Sequence, residues 1–239
     1  MGIHNADCFD IFPAIPDKSV DLVLADPPYG RTRCKWDSAL DLARLWPELK
    51  RIAKGPVILF AACPYDKVLG CSNLKWLRHE WVWEKSNGSG FLNAKRAPIR
   101  CHENILVFAK RSPPYHPIKT QGHERKTAVK RNDQSAVYGR QTETSYDSTE
   151  RYPRSVLKFP SDKQRSSLHP SQKPLALMDY LVRTYSKEGD LVLDFTMGSG
   201  TTGVAALQAS RRFVGIEKDA GHFAAAAERL RCLFEATPR

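Results

Sequence analysis

The chain has 239 residues, which is enough for one α/β core of ordinary size and a modest insertion. Lys and Arg outnumber Asp and Glu by 37 to 26, and the resulting charge of +11 indicates either a polyanionic partner or simply a soluble basic protein. No run approaches the roughly 18 apolar residues of a membrane span and the N-terminus lacks a signal-peptide pattern, so we expect a cytoplasmic protein without a membrane partner.

The cysteines are scattered along the chain, with no C-x-x-C pair and no nearby Cys/His tetrad. This spacing indicates neither a zinc site nor a disulfide scaffold. We therefore expect no bound metal, and reduced thiols that lie mostly in the core. The six cysteines are Cys8, Cys34, Cys63, Cys71, Cys101 and Cys232.

Strand-like and helical segments alternate along much of the chain. The strand-like runs are residues 20–25, 57–61, 80–83, 105–109, 191–195 and 213–216. Most of them are continuously apolar, which predicts a sheet covered on both faces. Helical patterns occupy residues 42–52, 175–185, 201–209 and 221–230, and Pro47 is expected to start or kink the first helix. The alternation predicts a doubly wound α/β fold.

An acid-proline-aromatic cluster, Asp26-Pro27-Pro28-Tyr29, directly follows the first apolar run. A nucleobase amino group is a poor nucleophile because its lone pair is delocalised into the ring. The Asp26 carboxylate and the Pro27 carbonyl can accept its two N–H bonds, and Tyr29 can stack on the base. The cluster therefore suits alkylation of an exocyclic amine. A turn or helix cap for Asp26 and a core position for Tyr29 are the alternatives.

The character of the chain changes over residues 111–168, which show no sustained periodicity and are predicted to lie outside the sheet core. This stretch holds twelve Lys or Arg against six Asp or Glu. It is either a solvated loop or a module that faces DNA, holding phosphates and reading base edges. The candidate contacts are Lys119, Arg125, Lys126, Lys130, Arg131 and Arg140.

A glycine loop lies between a strand-like run and a helical segment. Gly198, Gly200 and Gly203 are in G-x-G-x-x-G register, with Glu217 nineteen residues beyond Gly198. This is the dinucleotide fingerprint, and an NAD-dependent oxidoreductase or a plain turn are possible interpretations. Any adenosine cofactor can use such a loop, however. Since S-adenosylmethionine (AdoMet) carries an ammonium and a sulfonium, Asp194 on the loop side favours AdoMet.

A third motif, His169-Pro-Ser-Gln-Lys-Pro174, follows the basic stretch and leads into the helical segment 175–185. Its two prolines predict a stiff polar turn around the Gln-Lys pair. The turn either contributes to a site or merely returns the chain to the main domain.

Together, Asp26-Pro-Pro-Tyr29, a variable insertion, His169-Pro-Ser-Gln-Lys-Pro174 and the Gly-Ser-Gly loop resemble the β-class amino-methyltransferases of DNA. In that family the catalytic motif precedes the cofactor motif. Asn5-Ala-Asp-Cys8 and His102-Glu-Asn-Ile-Leu-Val-Phe108 also look like family elements, so the likeness extends over most of the chain. Small phage or prophage adenine methylases are the most similar in appearance.

The resemblance implies a Rossmann-like methyltransferase fold with a doubly wound, mostly parallel seven-stranded sheet and a permuted motif order. It divides the chain into a catalytic half (1–110), a basic target-recognition insertion (111–168) and an AdoMet-binding half (169–239). The implied partner is double-stranded DNA, at the nucleoid in the cytoplasm and within restriction-modification. A homodimer is one assembly open to such a protein.

The resemblance also implies how AdoMet is bound. Asp7, with Cys8 beside it, would lie near the cofactor adenine, and Glu217 would lie at the ribose. Gln172 and Lys173 would close the methionine side. The residues around the methionine would be Asp194, Gly198, Ser199, Gly200 and Thr201. Many relatives read Asp-Pro-Phe-x-Gly-Ser-Gly, but here Phe195 is shifted by one position. Packing of an aromatic on the cofactor is therefore not expected there, and Thr196 would offer a hydroxyl instead.

The activity implied is methylation of N6 of adenine in duplex DNA after the base flips out of the stack. Tyr29 would stack on the base and Asp26 would orient its amine, with direct in-line transfer and no covalent enzyme intermediate. An Asp first in the tetrad favours adenine in this family, whereas Ser there is commoner for N4-cytosine. N4-cytosine methylation and a catalytically silent DNA-binding relative are the alternatives.

Other residues have less specific expectations. Trp36 and Asp37 either line the base pocket or anchor a lid, and Glu103 is a candidate structural brace. His102 and His169 are expected to be structural histidines.

Overall fold

The computed structural model describes residues 2–30, 38–130, 133–137, 139–161 and 172–236. The chain forms two compact units, one comprising Met1–His116 with Ser155–Arg239 and the other comprising Pro117–Arg154.

The elements of the first unit precede and follow those of the second in the chain. Before the second unit come β1 (Gly2–Asn5), α1 (Cys8–Ile11), β2 (Leu22–Ala25), α2 (Leu42–Ile52), β3 (Val57–Ala61), α3 (Tyr65–Ser72), β4 (Leu77–Ser89) and β5 (Arg100–Phe108). The second unit contains β6 (Lys126–Lys130), β7 (Asp133–Ser135), β8 (Gly139–Gln141) and β9 (Thr144–Ser148). After it come β10 (Val156–Phe159), α4 (Leu175–Tyr185), β11 (Leu191–Asp194), α5 (Thr201–Gln208), β12 (Arg212–Glu217) and α6 (Ala220–Ala236).

The main sheet has the order β1-β12-β11-β2-β3-β5-β4-β10. Its neighbouring strands are parallel, apart from the antiparallel pairs that β5 makes with β3 and β4. The predicted doubly wound, mostly parallel α/β class is therefore confirmed. Within the described residues the sheet has eight strands and not the seven expected, because β10 pairs in parallel with β4.

Strand β10 also corrects the prediction that residues 111–168 lie outside the sheet core. Val156 pairs with Val82, and Leu157, which is buried, pairs with Trp83. The strand has only four residues, which is too short for a period of two to stand out in the sequence.

The core lies on both faces of the sheet, as the continuously apolar strands predicted. Successive side chains of a strand point to opposite faces, so Leu22 and Leu24 of β2 pack with residues of α4 and α5, whereas Val23 and Ala25 pack with residues of α2. Asp41 caps α2 by accepting the N–H of Ala43. The helix therefore begins at Leu42 and includes Pro47, so Pro47 does not start it.

Cysteine burial differs from the prediction. Cys8 is buried, but the other described cysteines, Cys63, Cys71, Cys101 and Cys232, are exposed. The expectation of mostly core thiols is therefore wrong for the described residues, and Cys34 lies outside them. Over the described ranges, no group of three or more His, Cys, Asp or Glu side chains could hold a metal ion. None of the helices described here is both long enough and apolar enough to cross a membrane.

The second unit, Pro117–Arg154, is built from two antiparallel two-stranded sheets, β6 with β9 and β7 with β8. Every residue of β6 is exposed, and no hydrophobic side chain described in this unit is buried. Exposed ion pairs join Arg125 to Asp147 at 2.6 Å and Lys119 to Glu150 at 2.8 Å. Turn geometry and surface polar contacts, rather than a core, therefore characterise this unit.

Candidate functional site

The candidate site lies where β11 and β2 end side by side. The chain continues from β11 to β12 on one side and from β2 to β3 on the other. This makes the gap between β11 and β2 a topological switch point, where ligands of open α/β sheets bind. A cavity of about 710 Å³ lies here, lined by Asp26–Tyr29 after β2 and by Asp194–Ser199 at the end of β11 and just beyond it. Its volume is within the range of roughly 300–1,000 Å³ for small-molecule sites.

The cavity brings together nearly all of the predicted site residues. Of the predicted catalytic and cofactor residues, Gly200 does not line it. Those that do are Asp7, Cys8, Asp26, Pro27, Pro28, Tyr29, Gln172, Lys173, Asp194, Thr196, Gly198, Ser199, Thr201 and Glu217.

The glycine loop turns sharply from β11 into α5. Gly200, at the N-cap of α5, has a φ of 74°, a left-handed conformation that favours glycine. A Cβ on Gly203 would lie 2.6 Å from a ring carbon of Phe213, so this glycine allows α5 to pack closely on β12. The loop and helix are thus held against the strand that ends in Glu217.

Glu217 holds the backbone of the loop through both carboxylate oxygens. Its Oε2 accepts the N–H of Gly198 at 2.8 Å and its Oε1 accepts the N–H of Asp219 at 2.8 Å. Each carboxylate oxygen has a second lone pair. Glu217 can therefore still accept hydrogen bonds from ligand hydroxyls.

Asp194 is buried at the end of β11. Its Oδ1 accepts the N–H of Thr196 at 3.1 Å and its Oδ2 accepts the hydroxyl of Thr202 at 2.5 Å. Burial raises the pKa of Asp194 to about 7, although the Thr202 hydrogen bond acts in the opposite direction. A bound cation would favour the ionised carboxylate, so Asp194 is suited to a positively charged ligand group.

Asp7 also lines the cavity and caps α1. Its carboxylate accepts the N–H of Phe9 at 3.0 Å and the ammonium of Lys218 at 3.0 Å. Burial acts to raise the pKa of Asp7, but these two hydrogen bonds lower it overall. Cys8 is buried beside it, and burial raises the pKa of its thiol to about 12. Cys8 is therefore a neutral wall residue.

Two polar atoms in the cavity wall are left without partners. Thr196 Oγ1 and Gln172 Oε1 are buried, and neither makes a hydrogen bond to any described residue. Such atoms cost free energy unless a ligand or water satisfies them. Phe195 packs edge-on against Phe12, with ring centroids 5.8 Å apart. The wall residues therefore fit AdoMet, with carboxylates for its hydroxyls and ammonium and two unsatisfied oxygens.

The Asp26 carboxylate is bonded on both sides. Its Oδ1 accepts the hydroxyl of Tyr29 at 2.6 Å and its Oδ2 accepts the ammonium of Lys173 at 2.5 Å. Lys173 also lies 3.1 Å from Glu103 Oε2, and Lys85 donates to Glu103 Oε1. Two carboxylates and two ammonium groups thus alternate in one network, which we call the ion-pair network of Asp26, Lys173, Glu103 and Lys85.

Within the ion-pair network, burial and the nearest opposite charges shift the pKa values in opposite directions. Burial raises the pKa of Asp26, and Glu103 adds to this effect while Lys173 opposes it. Burial alone would lower the pKa of Lys173, but the two carboxylates raise it above its usual value. Burial alone would raise the pKa of Glu103, but Lys173 and Lys85 hold it at about 2. Lys173 and Glu103 are therefore both charged at neutral pH.

Tyr29 stacks on Tyr65, which the sequence did not predict as a site residue. The ring centroids are 5.3 Å apart and the planes are inclined by 28°. Burial raises the pKa of Tyr29 well above its usual value, so its hydroxyl stays protonated and donates to Asp26. Tyr65 therefore covers one face of the Tyr29 ring.

Several contacts at the site were missed in the sequence. Glu103 was expected to be a brace, but its contacts with Lys85 and Lys173 were not expected. Lys85 was expected to alternate with Trp81 and Trp83 along one strand, but the predicted strand 105–109 stopped short of Glu103, because the polar start of β5 lacks an apolar pattern. Tyr65 and Thr202 carry no motif signal, since their partners are distant in sequence or lie across a turn.

The predicted DNA contacts divide into two groups. Lys119 and Arg125 are engaged in the ion pairs described above. Lys126, Lys130 and Arg140 are exposed and make no ion pair within the described residues. Arg131, like Trp36, Asp37 and His169, lies outside the described residues.

Comparison with known proteins gives consistent matches. A family model described as DNA methylase, N6_N4_Mtase, matches residues 20–228. The Type II methyltransferase M1.MboII of Moraxella bovis is 27% identical over 241 residues, covering 91% of this chain and 92% of that protein. The crystal structure of the M1.HpyAVI–SAM complex is 26% identical with a TM-score of 0.63, covering 96% of this chain and 99% of that one. PvuII DNA methyltransferase (cytosine-N4-specific) is 16% identical with a TM-score of 0.69, covering 98% and 90%, and supports the fold alone.

Proposed function

The chain belongs to the DNA methylase family, and from that premise we propose that it transfers a methyl group from AdoMet to N6 of adenine in duplex DNA. Its membership makes it a DNA amino-methyltransferase with AdoMet as the methyl donor. The observation that carries the proposal is the shared cavity, in which Asp26-Pro27-Pro28-Tyr29 faces the loop after β11.

The choice of adenine is supported by the residue that begins the tetrad. Asp26 stands there, and in proteins that resemble this one an Asp favours adenine whereas a Ser is commoner for N4-cytosine. N4-cytosine methylation is the competing function. The likeness to the cytosine-specific PvuII enzyme supports neither base, because at 16% identity it extends only to the fold.

Asp26 has the geometry of an orienting residue. Tyr29 and Lys173 each occupy one of its oxygens, which leaves a second lone pair on each. An amine N–H can therefore add to the existing bonds without displacing them, while the Pro27 carbonyl accepts the other N–H. These two acceptors align the amine lone pair away from the ring plane, towards the methyl donor.

Asp26 need not be a strong base in this scheme. Lys173 stabilises its negative charge, and the amine becomes acidic only as the new C–N bond forms. Orientation and charge stabilisation then provide most of the barrier reduction. When bound, AdoMet supplies the electrophilic methyl group carried by its sulfonium.

The base must leave the helix to reach this cavity, because a stacked amine cannot approach the cofactor loop. The flipped ring would stack on Tyr29 from the side away from Tyr65, and Tyr65 would support Tyr29 from behind. Around the cofactor, we assign Asp194 to the ammonium, Glu217 to the ribose hydroxyls and Asp7 to the adenine.

The proposal extends to the DNA-facing surface and the biological setting. The exposed cations Lys126, Lys130 and Arg140 would contact phosphates, which makes Pro117–Arg154 the target-recognition unit. Methylation would protect the host's sites from a partner nuclease, as restriction-modification requires. A homodimer is compatible with this proposal and is not needed for it.

Product analysis tests the proposed base. Duplex DNA without prior methylation is incubated with the protein and methyl-labelled AdoMet, digested to nucleosides and examined by mass spectrometry. We expect labelled N6-methyldeoxyadenosine. Labelled N4-methyldeoxycytidine alone would refute the adenine assignment. AdoMet binding and DNA binding without any labelled nucleoside would instead support the catalytically silent alternative.

A further inference from the structure

The hairpin formed by β4 and β5 extends beyond the sheet edge that carries the site. Strands β3 and β4 both run antiparallel to β5, so they share one direction. Ala61, the last residue of β3, and Val82 of β4 both pair with Asn104. The remainder of β4, from Trp83 to Ser89, therefore continues past β3 by about 20 Å at roughly 3.3 Å per residue.

The tip of this hairpin, residues 90–100, exposes large apolar side chains. Phe91 is 72% exposed, Leu92 is 86% exposed and Ile99 is 48% exposed. An isolated exposed apolar residue is ordinary. Here Phe91 and Leu92 are adjacent, at the end of a projecting hairpin, and such clustered exposure marks an interaction surface.

The same tip is cationic. Lys95, Arg96 and Arg100 are exposed, and no Asp or Glu occurs between residues 85 and 102. In the part of the chain that the structure describes, none of these three side chains makes an ion pair. The combination of bare apolar side chains and unpaired cations fits a polyanion that also offers apolar surface, which describes the stacked bases of DNA.

The base of the hairpin is connected to the catalytic carboxylate. Lys85, near the end of β4, binds Glu103 of β5. Glu103 in turn lies beside Lys173, which binds Asp26. The ion-pair network therefore fixes the hairpin relative to the cavity that would receive the flipped base.

We propose that the hairpin tip is a DNA wedge, an inference that rests on the proposed function. Phe91 and Leu92 enter the duplex and fill the space left by the flipped base, while Lys95, Arg96 and Arg100 hold the neighbouring phosphates. Base flipping costs a few kcal/mol in lost stacking and pairing. Apolar side chains inserted between base steps stabilise such a distorted duplex.

The test compares the double variant Phe91→Ala, Leu92→Ala with the control Leu74→Ala. Leu74 is also exposed, at 64%, but lies just before β4 begins, at the opposite edge of the sheet. The substrates are two duplex oligonucleotides that carry the methylation site located by sequencing wild-type-modified DNA. One is fully paired, and in the other the target base is mispaired and so flips more easily.

On the paired duplex we expect the double variant to lose at least tenfold in kcat/KM. On the mispaired duplex it should stay within about threefold of wild type, and Leu74→Ala should match wild type on both. If the double variant matches wild type on both duplexes, or loses the same factor in kcat/KM on both, the wedge is overturned and the proposed function stays intact. If sequencing finds no site modified by the wild-type protein, the proposed function is overturned, and the wedge with it.

A second measurement separates DNA from a second copy of this chain as the occupant of the tip. Replacing Lys95, Arg96 and Arg100 with Gln should make the salt dependence of DNA binding shallower by about two to three in log–log slope. Sedimentation of the double variant should match wild type. The wedge would be overturned in favour of self-association by two results together. The wild type would be a dimer that dissociates in the double variant, and the Gln variant would keep the wild-type salt slope.

Discussion

The charged side chains of the cavity and those of Pro117–Arg154 are paired in opposite environments. In the ion-pair network, Lys173 is only 9% exposed and lies between two carboxylates. In Pro117–Arg154, the Arg125–Asp147 pair is exposed, with side chains 70% and 51% accessible. Desolvated charges depend on their partners, whereas exposed charges are screened by water. The buried network therefore holds its carboxylates in a fixed orientation, whereas the exposed cations of Pro117–Arg154 remain available to an incoming polyanion.

The largest expected effect comes from removing the central cation of the ion-pair network. Lys173→Met should lower the free energy of unfolding at pH 7 by about 3 kcal/mol, because Asp26 would lose its cationic partner and Glu103 would keep only Lys85. The folded pKa of Lys173 lies above that of an unfolded lysine, near 10.4. Its contribution is therefore fully present at pH 7 and is lost only as the pH rises through the folded pKa. Urea unfolding measures the change.

The matched variant in the other region is Lys119→Met, which removes the exposed partner of Glu150. We expect no measurable shift in its urea midpoint, since water replaces the lost partner. Similar destabilisation in both variants would remove the contrast between the two regions.

Asp194 gives a pH-dependent test on the cofactor side. Burial raises its pKa to about 7, and the AdoMet ammonium should bind only the ionised form. Affinity should therefore rise about tenfold per pH unit from pH 5.5 to pH 7 and level off above. Calorimetric titration over this range provides the measurement. Asp194→Asn should bind weakly with no such slope, and a flat wild-type profile would contradict the assigned contact.

Glu103 is expected to act on Asp26 through Lys173. Glu103→Gln removes a negative charge that raises the pKa of Asp26, so the acidic limb of the kcat profile should move to lower pH. A several-fold fall in kcat at pH 7.5 is expected because Lys173 loses one of its two carboxylate partners, with little change in KM. Glu84→Gln, at a half-exposed neighbour paired with Lys158, serves as the control. An unmoved acidic limb would limit Glu103 to a structural role.

The smallest effect is expected for single unpaired cations of Pro117–Arg154. Lys126→Gln and Lys130→Gln should each reduce the log–log salt slope of DNA binding by about one. Stability should not change, because both side chains are exposed. Binding isotherms at several salt concentrations measure the slope, with exposed Lys75→Gln as the control. Unchanged slopes in all three variants would favour a solvated loop over a DNA-facing unit.

Local patterns in the sequence were sufficient for much of the fold. The apolar runs that became β2 and β3 are buried on both faces, and burial of that kind leaves a continuous hydrophobic signature. Only Leu157 of strand β10 is buried, so this strand left no such signature. The glycine loop and the Asp26 cluster were recognisable because backbone geometry and chemistry restrict the residue types at those positions.

The remaining site contacts depend on tertiary structure. Lys173 was expected beside the methionine of AdoMet, and the structure adds its bond to Asp26, 147 residues away. Tyr65 meets Tyr29 only because β2 and β3 are neighbours in the sheet. Neither contact follows from periodicity or local spacing.

Asp26→Ala tests the central claim, that the carboxylate after β2 acts on a substrate amine beside the cofactor loop. Transfer of labelled methyl groups from AdoMet to duplex DNA should fall by at least about a hundredfold, the usual cost of losing an orienting or charge-stabilising group. AdoMet affinity, measured by calorimetry on the same preparation, should stay within a few-fold of wild type. Undiminished methyl transfer by folded Asp26→Ala protein would contradict the account.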